Sequence, residues 1–250
     1  MQALILAGGL GMRLRSALGD KPKPMAPINA KPFIEYQLEF LKGYGIRDFI
    51  FCVCYLRKQI QDYFHDGGKW GVQIQYSVED EPLGTAGAIK QSKHLIDYPI
   101  LVLNGDSFLK LNIAELINFH EQKRYDIGHS KYLGTIALAT THASCDYGIV
   151  QLDAKNNIVG FVEKFAGKTG KPILPQLINS GIYLLEANFF EHIPANEKIS
   201  LEKQTIPKVL NRGYIIGGYA TSGYFIDIGT PERYEQARRD LQENLYDYSR

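Results

Sequence analysis

The sequence predicts an α/β fold with a mixed, mainly parallel sheet flanked by helices. Three observations carry that prediction: short apolar runs alternate with helix-spaced segments through the first half, the first run empties into glycines, and the second half is denser in short strands. Residues 2–6 contain Ala3-Leu4-Ile5-Leu6, as continuously apolar as a strand buried on both faces must be. Phe33, Tyr36, Gln37, Phe40, Leu41 and Tyr44 recur near helical spacing. Strand-like runs follow near 48–55 and 72–77, a helix starts beside Thr85, and 100–104 is another strand. Ile113, Leu116, Ile117 and Phe119-His120 predict a helix capped by Asn112. This is βαβαβαβα order, in which ligands sit at the carboxyl ends of parallel strands. Runs near 134–140, 148–152, 158–164, 180–185, 214–220 and 224–228 predict antiparallel additions forming a second wall, and a charged helix follows near 231–245.

A chain of 250 residues with 45% hydrophobic content can bury a full core, and no linker-like stretch interrupts it, so residues 1–250 are expected to form one domain. The 28 basic residues nearly balance 27 acidic ones, a net charge of +1 that argues against a nucleic-acid partner. No run approaches the roughly 20 apolar residues of a membrane span, and no basic leader precedes the first strand, so no membrane partner is expected. Cys52, Cys54 and Cys145 have no metal-ligand spacing; a reducing, cytoplasmic setting fits. Oligomeric state stays open, a homo-oligomer included.

The densest chemistry lies in Leu6-Ala7-Gly8-Gly9-Leu10-Gly11-Met12-Arg13-Leu14. A glycine turn after a strand lets a polyphosphate approach backbone N–H groups, and Arg13 and Lys23 add cationic donors. A dinucleotide fingerprint would need glycine where Leu14 stands, and the P-loop string G-x-x-x-x-G-K-[ST] is absent. Within Lys21-Pro22-Lys23-Pro24-Met25 the prolines stiffen the chain on both sides of Lys23, which predicts an extended segment with a pre-placed ammonium. A plain structural turn with surface cations is the competing reading.

Asp106 follows the apolar run Ile100-Leu101-Val102-Leu103, and Asp227 follows Tyr224-Phe225-Ile226. Two strand-end carboxylates suit Mg²⁺, which takes one or two carboxylates plus waters and substrate phosphates. Each aspartate taken alone could equally form a cap or turn. Glu79-Asp80-Glu81 offers carboxylates that could accept the N1–H and N2–H₂ donors of guanine, favouring GTP, or could be a solvated acidic turn.

These strings resemble those of the sugar-phosphate nucleotidyltransferases, the NDP-sugar pyrophosphorylases. Beyond the first loop and Pro22-Lys23-Pro24-Met25, the resemblance runs in order through Glu81-Pro82-Leu83-Gly84-Thr85-Ala86-Gly87, Leu103-Asn104-Gly105-Asp106, Tyr147-Gly148, Val162-Glu163-Lys164, Asn179-Ser180-Gly181-Ile182-Tyr183 and Phe225-Ile226-Asp227-Ile228-Gly229-Thr230-Pro231. Met12 departs from it, since many members carry a hydroxyl residue there. Within the family the chain is similar to the guanylyltransferases of mannose 1-phosphate and, over its whole length, more so to those of D-glycero-α-D-manno-heptose 1-phosphate. Thymidylyl- and uridylyltransferases acting on glucose 1-phosphate are the alternative.

The resemblance implies a Rossmann-like, GT-A-like fold with a nucleotide-binding half over about 1–110 and a sugar-binding half over about 111–250. It implies a nucleotide site of Leu6, Ala7, Gly8, Gly9, Gly11, Arg13, Lys23, Glu79, Glu81, Gly84, Thr85, Asn104 and Gly105. Tyr147, Gly148, Glu163, Lys164, Asn179 and Gly181 would hold the sugar 1-phosphate, with Lys164 on its phosphate. A phosphate oxygen would attack the α-phosphorus of the NTP in line and expel pyrophosphate, giving an NDP-sugar for capsule, lipopolysaccharide or S-layer glycans. Arg13 would hold the departing phosphates, Lys23 the α-phosphoryl group, and Asp106 and Asp227 the Mg²⁺. Two readings of other classes compete. A nicotinamide oxidoreductase gives no work to Lys23 or Asp227, and a non-catalytic sugar-nucleotide sensor would keep the pocket but not turn over.

Overall fold

The computed structural model describes residues 1–141, 147–162 and 175–243. From the first strand, β1 (Gln2–Leu6), the chain passes the glycine turn and the short helix α1 (Arg15–Leu18) to a small hairpin, β2 (Pro27–Ile28) and β3 (Lys31–Pro32). Helix α2 (Phe33–Gly43) follows, burying Phe33, Ile34, Tyr36, Leu38, Phe40 and Leu41. Next come β4 (Asp48–Val53), α3 (Arg57–Phe64), β5 (Gln73–Val78), α4 (Gly84–Gln91) and β6 (Ile100–Asn104). A short β7 (Ser107–Leu109) leads to α5 (Ile113–Ile127), whose start is fixed as expected: the Asn112 side chain accepts from Ala114 N at 3.0 Å and Glu115 N at 3.2 Å. The remaining elements are β8 (Tyr132–Thr141), β9 (Ile149–Leu152), β10 (Ile158–Val162), β11 (Gln176–Leu185), α6 (Ile206–Asn211), β12 (Ile215–Thr221), β13 (Phe225–Asp227) and α7 (Pro231–Glu243).

The central sheet runs β10-β9-β11-β6-β1-β4-β5, with β8 also on β11 and β12 on β8. β6, β1, β4 and β5 are parallel in register, Leu4 lying between Val102 and Ile50. β11 adds antiparallel to β6, and β8 antiparallel to β11, so the fold is the mixed Rossmann-like sheet that the resemblance implied. The second wall departs from expectation twice. β12 pairs parallel to β8, an arrangement that requires a crossover, and the intervening chain with α6 supplies it. β13 stands apart from the main sheet and pairs antiparallel with β7.

Alternation along each strand divides the core between the two faces. Ala3 and Ile5 pack with Phe33, Leu41 and Phe51 on one side, while Leu4 packs with Ile50, Ala86, Ile89 and Val102 on the other. Leu4 and Ile5 are fully buried, and truncating either to alanine removes about 2–5 kcal/mol of stability at a site of this kind. At the carboxyl ends the strands close tightly. Gly105 N donates to Leu6 O at 3.0 Å, and a Cβ on Gly105 would lie 2.6 Å from that oxygen, so glycine alone permits the approach.

Candidate functional site

Two clefts open at this carboxyl edge, of about 210 Å³ and 140 Å³. The first is walled by Leu6, Gly8, Gly9, Lys23, Pro24, Glu79, Gly84, Thr85 and Gly105, and the second by Arg13, Tyr147, Gly148, Asn179, Gly181, Glu202, Phe225, Asp227 and Arg233. Asn104 and Asp106 line both. The strand end that carries Asp106 is therefore the seam between the two spaces. Asn104 Oδ1 is buried there without a hydrogen-bond partner, an acceptor left for something that enters. Gln37 steadies the seam from below, its Nε2 donating to Asn104 O at 2.8 Å and Ser107 O at 2.6 Å.

Lys23 reaches the seam by a route that differs from the expected extended segment. Pro22 is extended, but Lys23–Met25 forms a 3₁₀ turn with Pro24 in its first positions, where a missing N–H leaves nothing unsatisfied. The largely buried Lys23 Nζ donates to Asp106 Oδ2 at 2.5 Å, and Ser107 Oγ donates to Oδ1 at 3.2 Å. Burial alone would raise the Asp106 pKa; the Lys23 charge and hydrogen bond, with the Ser107 hydroxyl, outweigh it and hold the carboxyl below its ordinary value. Gly11 serves the same placement. It takes φ +58°, and a Cβ there would stand 3.1 Å from Lys23 Cβ.

Asp227 is brought to Asp106 by the β7–β13 ribbon, opposite Ser107 in register, with Ile228 N donating to Asp106 O at 2.9 Å. Its carboxylate is engaged. Arg233 Nη1 donates to Oδ2 at 2.8 Å and Oδ1 at 3.1 Å, and Gly229 N donates to Oδ1 at 2.8 Å. The Arg233 guanidinium also lies over the Tyr147 ring, 4.5 Å from its centroid. Sequence reasoning passed over Arg233. Its signal was a cation in the first turn of a helix, where the dipole disfavours positive charge unless an acid lies close.

In the first cleft the acidic turn resolves into distinct positions. Glu79 is buried, its Oε2 accepting from Leu83 N at 2.9 Å, and burial pushes its pKa up. Gly8 leaves room for it, since a Cβ there would be 3.0 Å from Oε1. Asp80 and Glu81 are exposed, and Glu81 lines neither cleft. Ala7 is buried and binds β4 through its N–H to Cys52 O at 2.8 Å. The Thr85 hydroxyl is committed, donating to Glu202 Oε2 at 2.8 Å and accepting from Leu201 N at 2.7 Å. Cys52 is buried, with its thiol pushed up to about 12 by that burial.

In the second cleft, β11 begins at Gln176, so Asn179 sits inside the strand at a register shift rather than at a turn before it. Its Oδ1 accepts from Gly181 N at 3.0 Å and its Nδ2 donates to Tyr183 Oη at 2.8 Å. Tyr183 Oη in turn donates to Glu202 Oε1 at 3.1 Å. Glu202, on the one-turn π-helix Leu201–Thr205, is the second residue that sequence reasoning missed; nothing in Ser200-Leu201-Glu202-Lys203 marks it out. Glu163 and Lys164 lie outside the described residues.

Among the described residues no group of three or more His, Cys, Asp or Glu side chains is gathered for a metal ion. Asp106 and Asp227 both line the second cleft, two carboxylates of the kind that a divalent cation takes beside water and substrate phosphates, and each already holds a cation, from Lys23 and Arg233. The donor set fits the ion.

Residues 2–244 match the family model described as nucleotidyl transferase. The chain belongs to that family. The membership agrees with the motif resemblance and makes the protein a nucleotidyltransferase. It is 40% identical to the D-glycero-alpha-D-manno-heptose 1-phosphate guanylyltransferase of Campylobacter jejuni subsp. jejuni serotype O:2, over 94% of this chain and 97% of the relative. It is 35% identical to the enzyme of the same name from Aneurinibacillus thermoaerophilus, over 98% and 100%. Crystal structures of HddC from Yersinia pseudotuberculosis, one complexed with GMP-PN, superpose with a TM-score of 0.79 at 32% identity, covering 96% of this chain and 99% of that one. No helix among the described residues is long and apolar enough to cross a membrane.

Proposed function

We propose that this nucleotidyltransferase joins GTP to D-glycero-α-D-manno-heptose 1-phosphate, releasing pyrophosphate and forming GDP-heptose, in the cytoplasm. One observation carries the reading: two clefts, one with a buried carboxylate at its wall and one with two arginines, meet at Asp106. The similarity to heptose 1-phosphate guanylyltransferases and to a structure with a guanine nucleotide supports the choice of substrates.

In this reading Glu79 accepts from the guanine N1–H and N2–H₂ edge, and the glycine turn lies along the phosphates. Lys23 sits where charge grows on the α-phosphoryl and leaving oxygens. Arg13 lines the second cleft rather than the first, so in this reading its charge serves the phosphates where the two substrates meet, and Asn179 with Tyr147 and Gly148 orients the sugar. No side chain has to act as base or nucleophile, because the attacking phosphate oxygen is already ionised; placement and charge stabilisation carry the rate. Asp106 and Asp227 would hold Mg²⁺, which draws negative charge from phosphoryl oxygens.

The test is phosphate release with Mg²⁺ and inorganic pyrophosphatase, offering each NTP against mannose, heptose and glucose 1-phosphates. Release confined to GTP with the heptose is expected. Release with GTP and mannose 1-phosphate would replace the sugar, release with another NTP would remove the role of Glu79, and none with any pair would leave a sensor.

A further inference from the structure

Arg233 stands in a place that a purely structural arginine does not need. Its guanidinium bridges both oxygens of Asp227, at 3.1 and 2.8 Å, and these are the electron pairs a divalent cation would take. It lies at the mouth of the sugar-side cleft, half-buried and stacked over Tyr147 at 4.5 Å, with Phe225 edge-on behind that ring at 5.4 Å. Arg13 converges on the same spot. A Cβ on Gly229 would find Arg13 Nη2 at 3.6 Å and Arg233 Nη1 at 3.7 Å. Around this cleft Arg13, Arg233 and the Lys23 bound to Asp106 balance the carboxylates of Asp106, Glu202 and Asp227, so a divalent cation added at the aspartates would leave positive charge suited to an entering anion.

We infer that Arg233 is a second ligand for the phosphate of the sugar 1-phosphate, kept in position by its exchangeable pairing with Asp227. Its pairing with Asp227 and the ligation of a divalent cation by Asp227 compete for the same oxygens. When Asp227 gives its oxygens to the cation, the Nη1 donor that Asp227 held becomes available to the cleft. The flat Tyr147 face keeps the guanidinium there by cation–π attraction, and the incoming phosphate dianion takes its N–H donors. Lys23 on Asp106 repeats the pattern across the seam: each aspartate holds a cation that the phosphates can accept in exchange. This inference rests on the proposed reaction, since it needs an anionic sugar substrate in the second cleft.

The test compares wild type with Arg233→Gln and Arg233→Lys in two measurements, after melting curves establish that each variant folds. The first is Mn²⁺ binding by electron paramagnetic resonance, with neither nucleotide nor sugar present. Removing the competitor in R233Q should tighten Mn²⁺ binding, whereas an arginine that only shapes the turn would leave it unchanged or weakened. The second is steady-state kinetics: R233Q should raise KM for the sugar 1-phosphate about tenfold, with KM for GTP within about twofold, and R233K should recover part of the loss. Unchanged Mn²⁺ affinity, or tighter Mn²⁺ binding with unchanged KM for the sugar 1-phosphate, overturns the inference. If wild type turns over no substrate pair, the proposed reaction fails by itself, and the Mn²⁺ comparison still decides whether Arg233 competes at Asp227.

Discussion

The two clefts meet at one aspartate but are built by different means. The first cleft is made of strand ends and turns: β1, β4, β5 and β6 stop along a common edge, and Gly8, Gly9, Gly84 and Gly105 open the space. The second cleft is made of side chains carried there from separate elements, Asn179 from β11, Glu202 from a one-turn π-helix, Asp227 from β13 and Arg233 from α7. Backbone N–H groups arrayed by a sheet suit phosphates, which every NTP shares. A particular arrangement of sugar hydroxyls needs individually placed side chains. The first region should therefore govern rate, and the second the choice and hold of the sugar.

Lys23 offers the largest test. Lys23→Ala should lower kcat about 10²- to 10³-fold, the range for losing one pre-placed donor to developing charge, with much smaller changes in either KM. With the lysine gone, burial is opposed at Asp106 only by the Ser107 hydroxyl and a backbone hydrogen bond, and its pKa rises. The Lys23 interaction stabilises the fold above the ordinary carboxylate pKa, and that contribution is lost as pH falls through the lowered value of wild type. An unchanged turnover number would break the comparison at its root.

Glu79 comes next. Glu79→Gln should raise KM for GTP about tenfold, since a hydrogen bond to a charged acceptor contributes about 1.5–3 kcal/mol, and should leave KM for the sugar 1-phosphate alone. Because burial raises the Glu79 pKa, its proton returns above the ordinary glutamate range of about 4.3. Wild-type affinity for GTP should weaken as pH falls into that interval, while the fold itself gains stability there because the buried carboxyl becomes neutral. Titrating GTP binding from neutral to mildly acidic pH checks this, and E79Q should give a flat profile.

This contrast also explains what could be read from the sequence. Gly8, Asp106 and Asp227 were legible because each sits beside an apolar strand, and a strand end is a position that local pattern reveals, whereas Lys23 stood out by the prolines on both sides of it. Glu202 and Arg233 were not, because their meaning depends on partners such as Thr85, Tyr183 and Asp227 that only the fold supplies. The β7–β13 pairing was equally hidden. Its strands are three residues long, too short for a period of two to register, although the pairing brings the two aspartates together. Gln37 was read within the helical stripe, while its use as a clamp on the Asn104 and Ser107 carbonyls shows only in three dimensions.

The smallest effect bears on the boundary between the regions. Tyr183 is fully buried and links Asn179 to Glu202, and Glu202 also accepts from Thr85 in the first cleft. Tyr183→Phe removes only the hydroxyl. It leaves Asn179 Nδ2 without its acceptor and takes one donor from Glu202 Oε1, but both residues line the second cleft, where water can substitute. The loss should be about 1 kcal/mol, a fall of roughly 2–4 °C in melting temperature. KM for the sugar 1-phosphate should rise about fivefold as Asn179 loses its anchor, with KM for GTP unchanged. If KM for GTP rises by the same factor, the chain from Asn179 through Glu202 to Thr85 transmits the disturbance between clefts. The two regions would then act as one site despite their different construction.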